Sequence, residues 1–294
     1  MQSASSRIRN SCCEPSSPSS LPEIALAGLS SFVYHHEFLW TRGSLTWVNS
    51  MELRGKTALV TGGALRVGRV IALALAERGA HVVVNYNRSD EAATKTVKEI
   101  EAYGVRGLAI QCDISHVAQI EAMMQSIVSH FGAIDVLVNS AAIYEKTPLE
   151  KVAERDWDSH LDINLKGSFF CAKFAGQQML KQGRGKIINF ADWAGVRPYA
   201  DYLPYCISKG GVITMTRGLA KSLAPNIQVN CIAPGPILLP PDFTEEETQK
   251  VINATPLKRI GAPKDIAATV VFLVEGSDFI TGAMISVDGG RLIA

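Results

Sequence analysis

The feature that most constrains the fold is a repeated alternation of short apolar runs with longer helical patterns, from Lys56 to the end of the chain. The runs are apolar at nearly every position, as in strands of a parallel sheet covered on both faces. They read TALVTG, HVVVNY, GLAIQCD, IDVLVNSA, GKIINFA, IQVNCIAPG and AMISVDGG. This pattern predicts an α/β fold, a doubly wound parallel sheet with helices on both faces.

The segments between the runs predict amphipathic helices. Two of them, VGRVIALALAERG and DEAATKTVKEIEAYG, end at a glycine, which is a common helix stop. Further helices are predicted from His116 to Phe131, over a long region from Asp156 to Lys181, and from Tyr202 to Leu223.

The first fifty residues differ from the rest, so we predict a single catalytic domain over residues 51–294. Residues 1–50 contain 12 serines, no lysine and no aspartate, and they lack a clean helical or strand period. A disordered tail, an extension created by an upstream start codon, and a targeting peptide are the three interpretations. Glu14, Glu23 and Glu37 fit a transit peptide poorly, and Met51 stands directly before the first predicted element. A non-structural extension is therefore favoured.

Composition excludes several classes of partner. The net charge is +1 and no long basic run occurs, which argues against a nucleic-acid partner. No stretch of 18 apolar residues exists, so no membrane span is expected. The six cysteines show no CxxC pairing or metal-like spacing, which predicts reduced thiols in a cytoplasmic protein without a metal.

A glycine-containing turn, TGGALRVG over Thr61–Gly68, follows the first strand and opens a helix. Glycines let the backbone pass close to a phosphate, and a helix N-terminus presents free N–H groups to it. The spacing is not GxGxxG, because Arg66 stands where a middle glycine would be. The alternative is a turn that only packs helix on strand.

The end of the second strand indicates the type of dinucleotide. An acid there would favour NAD by accepting a bond from the ribose 2′-hydroxyl. The chain has Arg88 and Ser89 instead, and Asp90 begins the next helix. Together with Arg66 they could bind a 2′-phosphate, so NADPH is the expected cofactor. Alternatively, both arginines are ordinary solvated charges.

Two further strand ends carry candidate residues. Asp113, after the third strand, could accept a bond from an adenine amino group or cap the next helix. The fourth strand ends in NSAA, Asn139–Ala142, whose small side chains leave room for a ligand or simply pack closely.

The stretch FADWAGVRPYADYLPYCISK combines an acid, a phenol and an amine. Tyr205 and Lys209 are four residues apart, so they share one helix face, and Asp192 lies thirteen residues before the tyrosine. A phenol has a pKa of about 10, and a nearby ammonium is expected to lower it. Such a phenol can transfer a proton at neutral pH. A surface pair without function is the alternative for Tyr205 and Lys209.

Residues 51–294 resemble the short-chain dehydrogenase/reductase family, in its branch with one catalytic domain. The matching motifs are TGGALRVG, NSAA, INLKG, YCISK, NCIAPGPI and ITGAMISVDGG, in the family's order. The resemblance implies a Rossmann-type sheet of seven strands, hydride transfer from a nicotinamide, and usually a homotetramer. It also implies that Tyr205 is the proton donor, that Lys209 binds the nicotinamide ribose, and that Asn164 holds a relay water.

The residues expected to contact the cofactor are Gly62, Leu65, Arg66, Val67, Gly68, Arg88, Ser89, Asp113, Ile114, Asn139, Ser140, Ala141, Tyr205, Lys209, Pro234, Gly235 and Pro236. Pro234, Gly235 and Pro236 would line the nicotinamide end.

One position departs from most of the family. Asp192 stands where a serine usually holds the substrate carbonyl, and a carboxylate donates a hydrogen bond only when protonated. An acid here resembles pteridine reductases and dihydromonapterin reductases, which reduce C=N bonds of pterins with NADPH. Those enzymes have a stacking aromatic residue where this chain has Ile143, and Trp193, Tyr199 or Tyr202 could supply the flat surface instead.

Three functions are therefore compared. The first is an NADPH-dependent reductase of a pterin-like C=N or small C=O group, with Tyr205, Lys209, Asn164 and Asp192 as catalytic residues, and Asp192, Ile143 and Trp193 against the substrate. The second is a 3-oxoacyl-carrier-protein or general carbonyl reductase. The third is a dinucleotide-binding sensor without turnover. The missing serine counts against the second, and the intact Tyr-Lys-Asn set against the third.

Overall fold

A computed structural model describes residues 50–240 and 243–294 of the chain. The predicted N-terminal extension over residues 1–50 lies, apart from Ser50, outside the described residues.

Seven strands form a single parallel sheet. They are β1 (Thr57–Thr61), β2 (His81–Tyr86), β3 (Gly107–Gln111), β4 (Val136–Asn139), β5 (Gly185–Phe190), β6 (Ile227–Pro234) and β7 (Met284–Val287). Their order is β3-β2-β1-β4-β5-β6-β7, which confirms the predicted doubly wound sheet. The winding reverses between β1 and β4, where Thr61 is in register with Asn139. Ligands of such sheets bind at this reversal, beyond the carboxyl ends of the strands.

Helices cover both faces of the sheet. Within the described residues the α-helices are α1 (Arg66–Glu77), α2 (Asp90–Glu101), α3 (Val117–Phe131), α4 (Glu154–His160), α5 (Ser168–Gln182), α6 (Leu203–Leu223), α7 (Glu245–Asn253) and α8 (Pro263–Val271). In the same part of the chain, no helix has both the length and the apolar character needed to cross a membrane.

The period of two in the strands divides the core into two layers. Val60 and Val138 pack against α1, α2 and α8, whereas Leu59 and Leu137 pack against α3, α5 and α6. All four side chains are fully buried, and burying one leucine contributes about 1.5–3 kcal/mol relative to exposure. Burial on both faces explains why the runs lack apolar–polar alternation.

The helical region predicted from Asp156 to Lys181 is not one regular helix. α4 passes into a π-helical segment, Leu161–Gly167, before α5 begins at Ser168. Apolar periodicity does not distinguish these backbone types, because a π-helical turn adds only one residue. Gly167 permits close packing here, since a Cβ would lie 2.7 Å from the Ile114 carbonyl oxygen.

Candidate active site

A cavity of about 730 Å³ opens at the carboxyl ends of the central strands, and most of the predicted site residues line it. Those residues are Gly62, Leu65, Arg66, Val67, Gly68, Asp113, Ile114, Ser140, Ala141, Ile143, Asp192, Trp193, Tyr205, Lys209, Pro234, Gly235 and Pro236. Four predicted residues lie outside this lining: Arg88, Ser89, Asn139 and Asn164. The volume is in the usual range for small-molecule and cofactor sites.

The glycine turn brings the backbone of β1 and β4 together. Gly62 has a φ of 63°, and a Cβ on it would lie 2.9 Å from the Cα of Ala141. A Cβ on Gly68 would overlap the Gly62 carbonyl oxygen. The backbone N–H groups of Ser140 and Ala141 both donate to Thr61 Oγ1, at 3.0 and 3.1 Å. The turn is therefore fixed in a shape that only glycine permits.

The amino end of α1 faces this cavity without a side-chain cap. Leu65 occupies the N-cap position, and its side chain has no atom that could accept a hydrogen bond from the first-turn N–H groups. The first N–H groups of a helix need external partners, and an anionic group is a favourable one. The missing cap and the glycine cradle therefore fit a phosphate.

The two arginines predicted to bind a 2′-phosphate have different surroundings. Arg66 lines the cavity and donates from Nη2 to the Leu238 carbonyl oxygen at 3.3 Å. Arg88 and Ser89 stand just beyond Asn87, which does line the cavity. The first acid after β2, Asp90, accepts a 2.6 Å bond from the Tyr86 hydroxyl.

Asp113 forms a turn before α3 rather than its cap. Its Oδ1 accepts from the backbone N–H and the hydroxyl of Ser115, at 3.0 and 2.7 Å. Burial raises the pKa of Asp113, but these hydrogen bonds outweigh it and hold the pKa below its usual value. The N-cap of α3 is His116, so the helix-capping alternative is wrong.

Asn139 joins strands instead of facing the cavity. Its Nδ2 donates to the Ser168 carbonyl oxygen at 3.0 Å and to Asn189 Oδ1 at 2.9 Å. The adjacent Ser140 and Ala141 line the cavity. The NSAA motif therefore combines a buried polar link with an open strand end.

Asp192 and Tyr205 form a direct hydrogen-bonded pair at the cavity wall. The Tyr205 hydroxyl donates to Asp192 Oδ2 at 2.8 Å, and the Ala194 N–H donates to Oδ1 at 2.7 Å. Burial raises the pKa of Asp192, against the opposing effects of these two bonds and of Lys209. A carboxyl group with a raised pKa is more readily protonated, and it can then donate as well as accept.

Lys209 lies behind this pair. Its Nζ donates to the Phe190 carbonyl oxygen at 2.8 Å and lies 5.7 Å from the centre of the Tyr205 ring. Burial lowers the pKa of Lys209 to about 8, although the Asp192 carboxylate acts to raise it.

The expected lowering of the Tyr205 pKa is wrong for this structure. Burial raises the pKa of Tyr205 well above its usual value, and the adjacent Asp192 carboxylate raises it further. A carboxylate within hydrogen-bonding distance opposes ionisation of the phenol, whereas the Lys209 ammonium is directed toward a backbone carbonyl. Tyr205 therefore holds its proton at neutral pH, as a proton donor requires.

Asn164 sits in the π-helical segment and links the catalytic helix to a cavity loop. It exchanges two hydrogen bonds with the backbone of Ile143, and its Nδ2 also contacts Ser208 Oγ at 3.1 Å. Ser208 in turn donates to the Tyr205 carbonyl oxygen at 2.6 Å. Single π-helical turns commonly occur at functional sites. Asn164 is buried, and its contacts position Ile143 and α6.

Aromatic side chains supply the flat surface that Ile143 lacks. Tyr144 stacks on Tyr202 with centroids 4.6 Å apart and meets the Tyr205 ring edge-on at 4.8 Å. Trp193 meets Tyr199 edge-on at 5.1 Å. All five rings line the cavity, which therefore has an aromatic surface beside the Asp192–Tyr205 pair.

Sequence reasoning missed two residues near this pair. Arg291 lines the cavity with its guanidinium 5.2 Å from the centre of the Trp193 ring. His160 is fully buried, its ring lies 6.5 Å from that of Tyr205, and its Nε2 has no hydrogen-bond partner in the described part of the chain. Only three-dimensional proximity identifies them, because Arg291 is far along the chain and His160 ends an ordinary helix.

Comparisons with known proteins agree with this geometry. A family model described as Enoyl-(Acyl carrier protein) reductase matches residues 63–291. The 3-oxoacyl-[acyl-carrier-protein] reductase FabG of Staphylococcus aureus is 42% identical over 239 residues, 80% of this chain and 97% of that protein.

Solved structures give the same result. A crystal structure described as a short-chain alcohol dehydrogenase from Sinorhizobium meliloti 1021 superimposes with a TM-score of 0.79 at 36% identity, covering 83% of this chain and 98% of its own. An NAD+-bound xylitol dehydrogenase gives a TM-score of 0.77 at 31% identity, covering 82% and 100%. The chain therefore belongs to the short-chain dehydrogenase/reductase family and is an oxidoreductase.

Proposed function

We propose that the protein is an NADPH-dependent reductase of a C=N or C=O bond in a small planar substrate, with a pterin-like ring as the preferred class. The observation that carries the proposal is the 2.8 Å bond from the Tyr205 hydroxyl to Asp192, in a cavity bordered by aromatic rings. It unites a proton donor with a carboxyl group suited to a nitrogen heterocycle.

The residues at the α1 end of the cavity fit a dinucleotide. Gly62 and Gly68 leave space that any Cβ would fill, and the uncapped end of α1 offers N–H donors to a pyrophosphate. The preference for NADPH rests on Arg66, whose guanidinium lines the cavity, and on Asp90, whose carboxylate is engaged by Tyr86. Arg88 and Ser89 would contribute from the rim.

A reduction adds one hydride and one proton to the substrate bond. The bound cofactor would supply the hydride. Tyr205, kept protonated by burial and by Asp192, would donate the proton to the substrate nitrogen or oxygen. Lys209 would place a positive charge behind the phenolate that remains and bind the nicotinamide ribose, and Asn164 would hold the water that returns the proton.

Asp192 gives the site its selectivity in this proposal. As a carboxylate it would accept a bond from a ring N–H, and when protonated it would donate to a ring nitrogen or carbonyl oxygen. Ile143, Tyr144 and Trp193 would contact the ring faces. A serine in the same position would offer only a hydroxyl, which suits a ketone.

The second candidate is reduction of a 3-oxoacyl thioester. The name of the 42% identical Staphylococcus aureus protein, a 3-oxoacyl-[acyl-carrier-protein] reductase, supports it. Asp192 argues against it, because a carboxylate next to a carbonyl oxygen is repulsive unless it is protonated.

The test is NADPH oxidation by the full-length protein with dihydrobiopterin, dihydrofolate, a quinone, an acetoacetyl thioester and a diketone, and with NADH in parallel. We expect turnover of the pterins with NADPH, and a loss of about 10²–10⁴-fold in kcat for Tyr205→Phe, because the proton donor is removed.

Turnover of the thioester alone would replace the first proposal by the second. Undiminished turnover in Tyr205→Phe would contradict both, because both need Tyr205 as the proton donor. A protein that binds NADPH but reduces none of these compounds would leave the dinucleotide-binding sensor. The homotetramer and the cytoplasmic location are further proposals, and light scattering of the purified protein tests the first of them.

A further inference from the structure

Arg291 is held in place at the substrate end of the cavity by a built turn. The turn begins at Asp288, whose two carboxylate oxygens accept bonds from the backbone N–H groups of Gly290 and Leu292, at 3.0 and 2.7 Å. Arg291 Nη1 donates to the Ala254 carbonyl oxygen at 2.6 Å. The guanidinium therefore occupies a defined position.

No carboxylate of the described residues neutralises the charge of this guanidinium. Within residues 50–240 and 243–294, no carboxylate lies within ion-pairing distance of Arg291. One of its five N–H donors is used by Ala254, and its face lies over the Trp193 ring. A guanidinium has donors in a fork that matches carboxylate and phosphate groups. No hydrogen bond among the described residues uses the other four donors of this cavity-lining side chain.

Arg291 and Asp192 define two separate polar points in the cavity. Trp193 directly follows Asp192 in the chain. The Arg291 guanidinium lies over the Trp193 ring, and Tyr199 packs edge-on against the same ring. Arg291 and Asp192 do not pair, although both line the same cavity. A substrate that reacts at Tyr205 would reach Arg291 by extending along these aromatic rings.

We propose that Arg291 binds an anionic group, a carboxylate or phosphate, on the part of the substrate remote from the reacting bond. The proposal rests on the reductase function given above and refines its substrate class. The protein would then prefer a pterin or carbonyl compound that carries an acidic tail over an uncharged analogue.

Two matched substrate pairs test this preference. Dihydrofolate carries carboxylates that dihydrobiopterin lacks, and acetoacetyl coenzyme A carries phosphates that its N-acetylcysteamine thioester lacks. In Arg291→Gln, the ratio of kcat/KM for the anionic member to that for the neutral member should fall by about 10–100-fold, as expected for a lost charge-assisted hydrogen bond. A lower ratio in the folate pair would identify the anion as a carboxylate, and a lower ratio in the coenzyme A pair would identify it as a phosphate.

Controls separate recognition from structural damage. Arg291→Lys keeps the charge and should restore part of the ratio, whereas Arg184→Gln removes an exposed arginine before β5, outside the cavity, and should leave the ratio at the wild-type value. Thermal unfolding of each variant reports loss of the Ala254 contact. An unchanged ratio in both pairs for Arg291→Gln would overturn the proposal.

A binding experiment keeps the inference independent of turnover. If the wild-type protein reduces none of the four compounds, calorimetric titration of the NADP+-loaded protein with folate, biopterin and coenzyme A replaces the kinetic ratio. If Arg291→Gln weakens binding of an anionic ligand but not of biopterin, the anion site is supported even though the proposed reaction has failed. Equal affinity in both proteins, or no binding to either, would contradict it.

Discussion

The proposed cofactor end and the proposed substrate end of the cavity differ in what gives them their shape. At the cofactor end the shape comes from the backbone, because Gly68 approaches Gly62, and Gly62 approaches Ala141, more closely than a Cβ allows. At the substrate end the shape comes from side chains, chiefly Asp192 and Tyr144. Cofactor binding should therefore be lost when any atom is added to the glycines, whereas substrate preference should change gradually as side chains are replaced.

The largest effect is expected from Gly68→Ala. Its Cβ would overlap the Gly62 carbonyl oxygen and displace the turn that we propose holds the cofactor phosphates. Losing two or more charge-assisted hydrogen bonds should weaken NADPH binding by about a hundredfold or more, measured by fluorescence titration. Gly218→Ala is the matched control, because a Cβ there meets no atom within 4 Å and a helix interior favours alanine. Equal affinities in the two variants would refute the backbone cradle.

Arg66→Ala should have the next largest effect and should act on one cofactor only. We expect the affinity for NADPH to fall about 10–100-fold, because a guanidinium–phosphate contact is lost, while the affinity for NADH changes little. Arg88→Ala should have a smaller effect, since Arg88 lies outside the cavity lining. A larger loss in Arg88→Ala would mean that the 2′-phosphate site lies on the other side of Asn87.

The pH profile of reduction should report Lys209. Its pKa is lowered to about 8 by burial, so the ammonium loses its proton above that pH and kcat/KM should fall about tenfold per pH unit. The Asp192 carboxylate raises this pKa, so Asp192→Asn should move the midpoint to lower pH. Stopped-flow rates between pH 6 and about 10 measure both profiles. A midpoint that moves upward in Asp192→Asn would show that Lys209 is not the titrating group.

Tyr144→Leu should give the smallest effect, confined to flat substrates. Aromatic pairs contribute about 0.5–1.5 kcal/mol beyond burial, so KM for dihydrobiopterin should rise about 2–10-fold while that for the acetoacetyl thioester changes less. Tyr103→Leu is the matched control, because Tyr103 has a similar exposure, 50% against 48%, and lies outside the cavity. Equal changes for both substrates would argue against a stacking role for Tyr144.

The backbone features of the cavity could be predicted from the sequence better than the side-chain contacts. The sheet, the glycine turn and the Tyr205–Lys209 spacing follow from local patterns, because burial on both faces and the rise of a helix are encoded within a few residues. The π-helical segment around Asn164 was missed because its apolar pattern matches that of an α-helix. The Tyr205 pKa was predicted in the wrong direction because Asp192, thirteen residues away, is closer to the hydroxyl than any charge on the same helix face.

The contacts that sequence reasoning missed share one property: they join segments that are far apart in the chain. Arg291 meets Trp193 across almost a hundred positions, and the Tyr144–Tyr202 stack joins the loop after β4 to the start of α6. Such contacts depend on how the loops after the strands converge. The motifs at the strand ends show where each loop begins, but they do not show which residues the loop contacts.

The substrate selectivity of Asp192→Ser tests whether Asp192 selects a nitrogen heterocycle. We would measure kcat/KM for dihydrobiopterin and for an acetoacetyl thioester with NADPH, in the wild-type protein and in the variant. If Asp192 selects a nitrogen heterocycle, the ratio of pterin to thioester should fall by about a hundredfold or more, from the loss of a charge-assisted bond to the ring and the gain of a hydroxyl donor for the ketone. A ratio that stays at the wild-type value, or a wild-type protein that reduces only the thioester, would contradict the assignment of Asp192 as the selecting group.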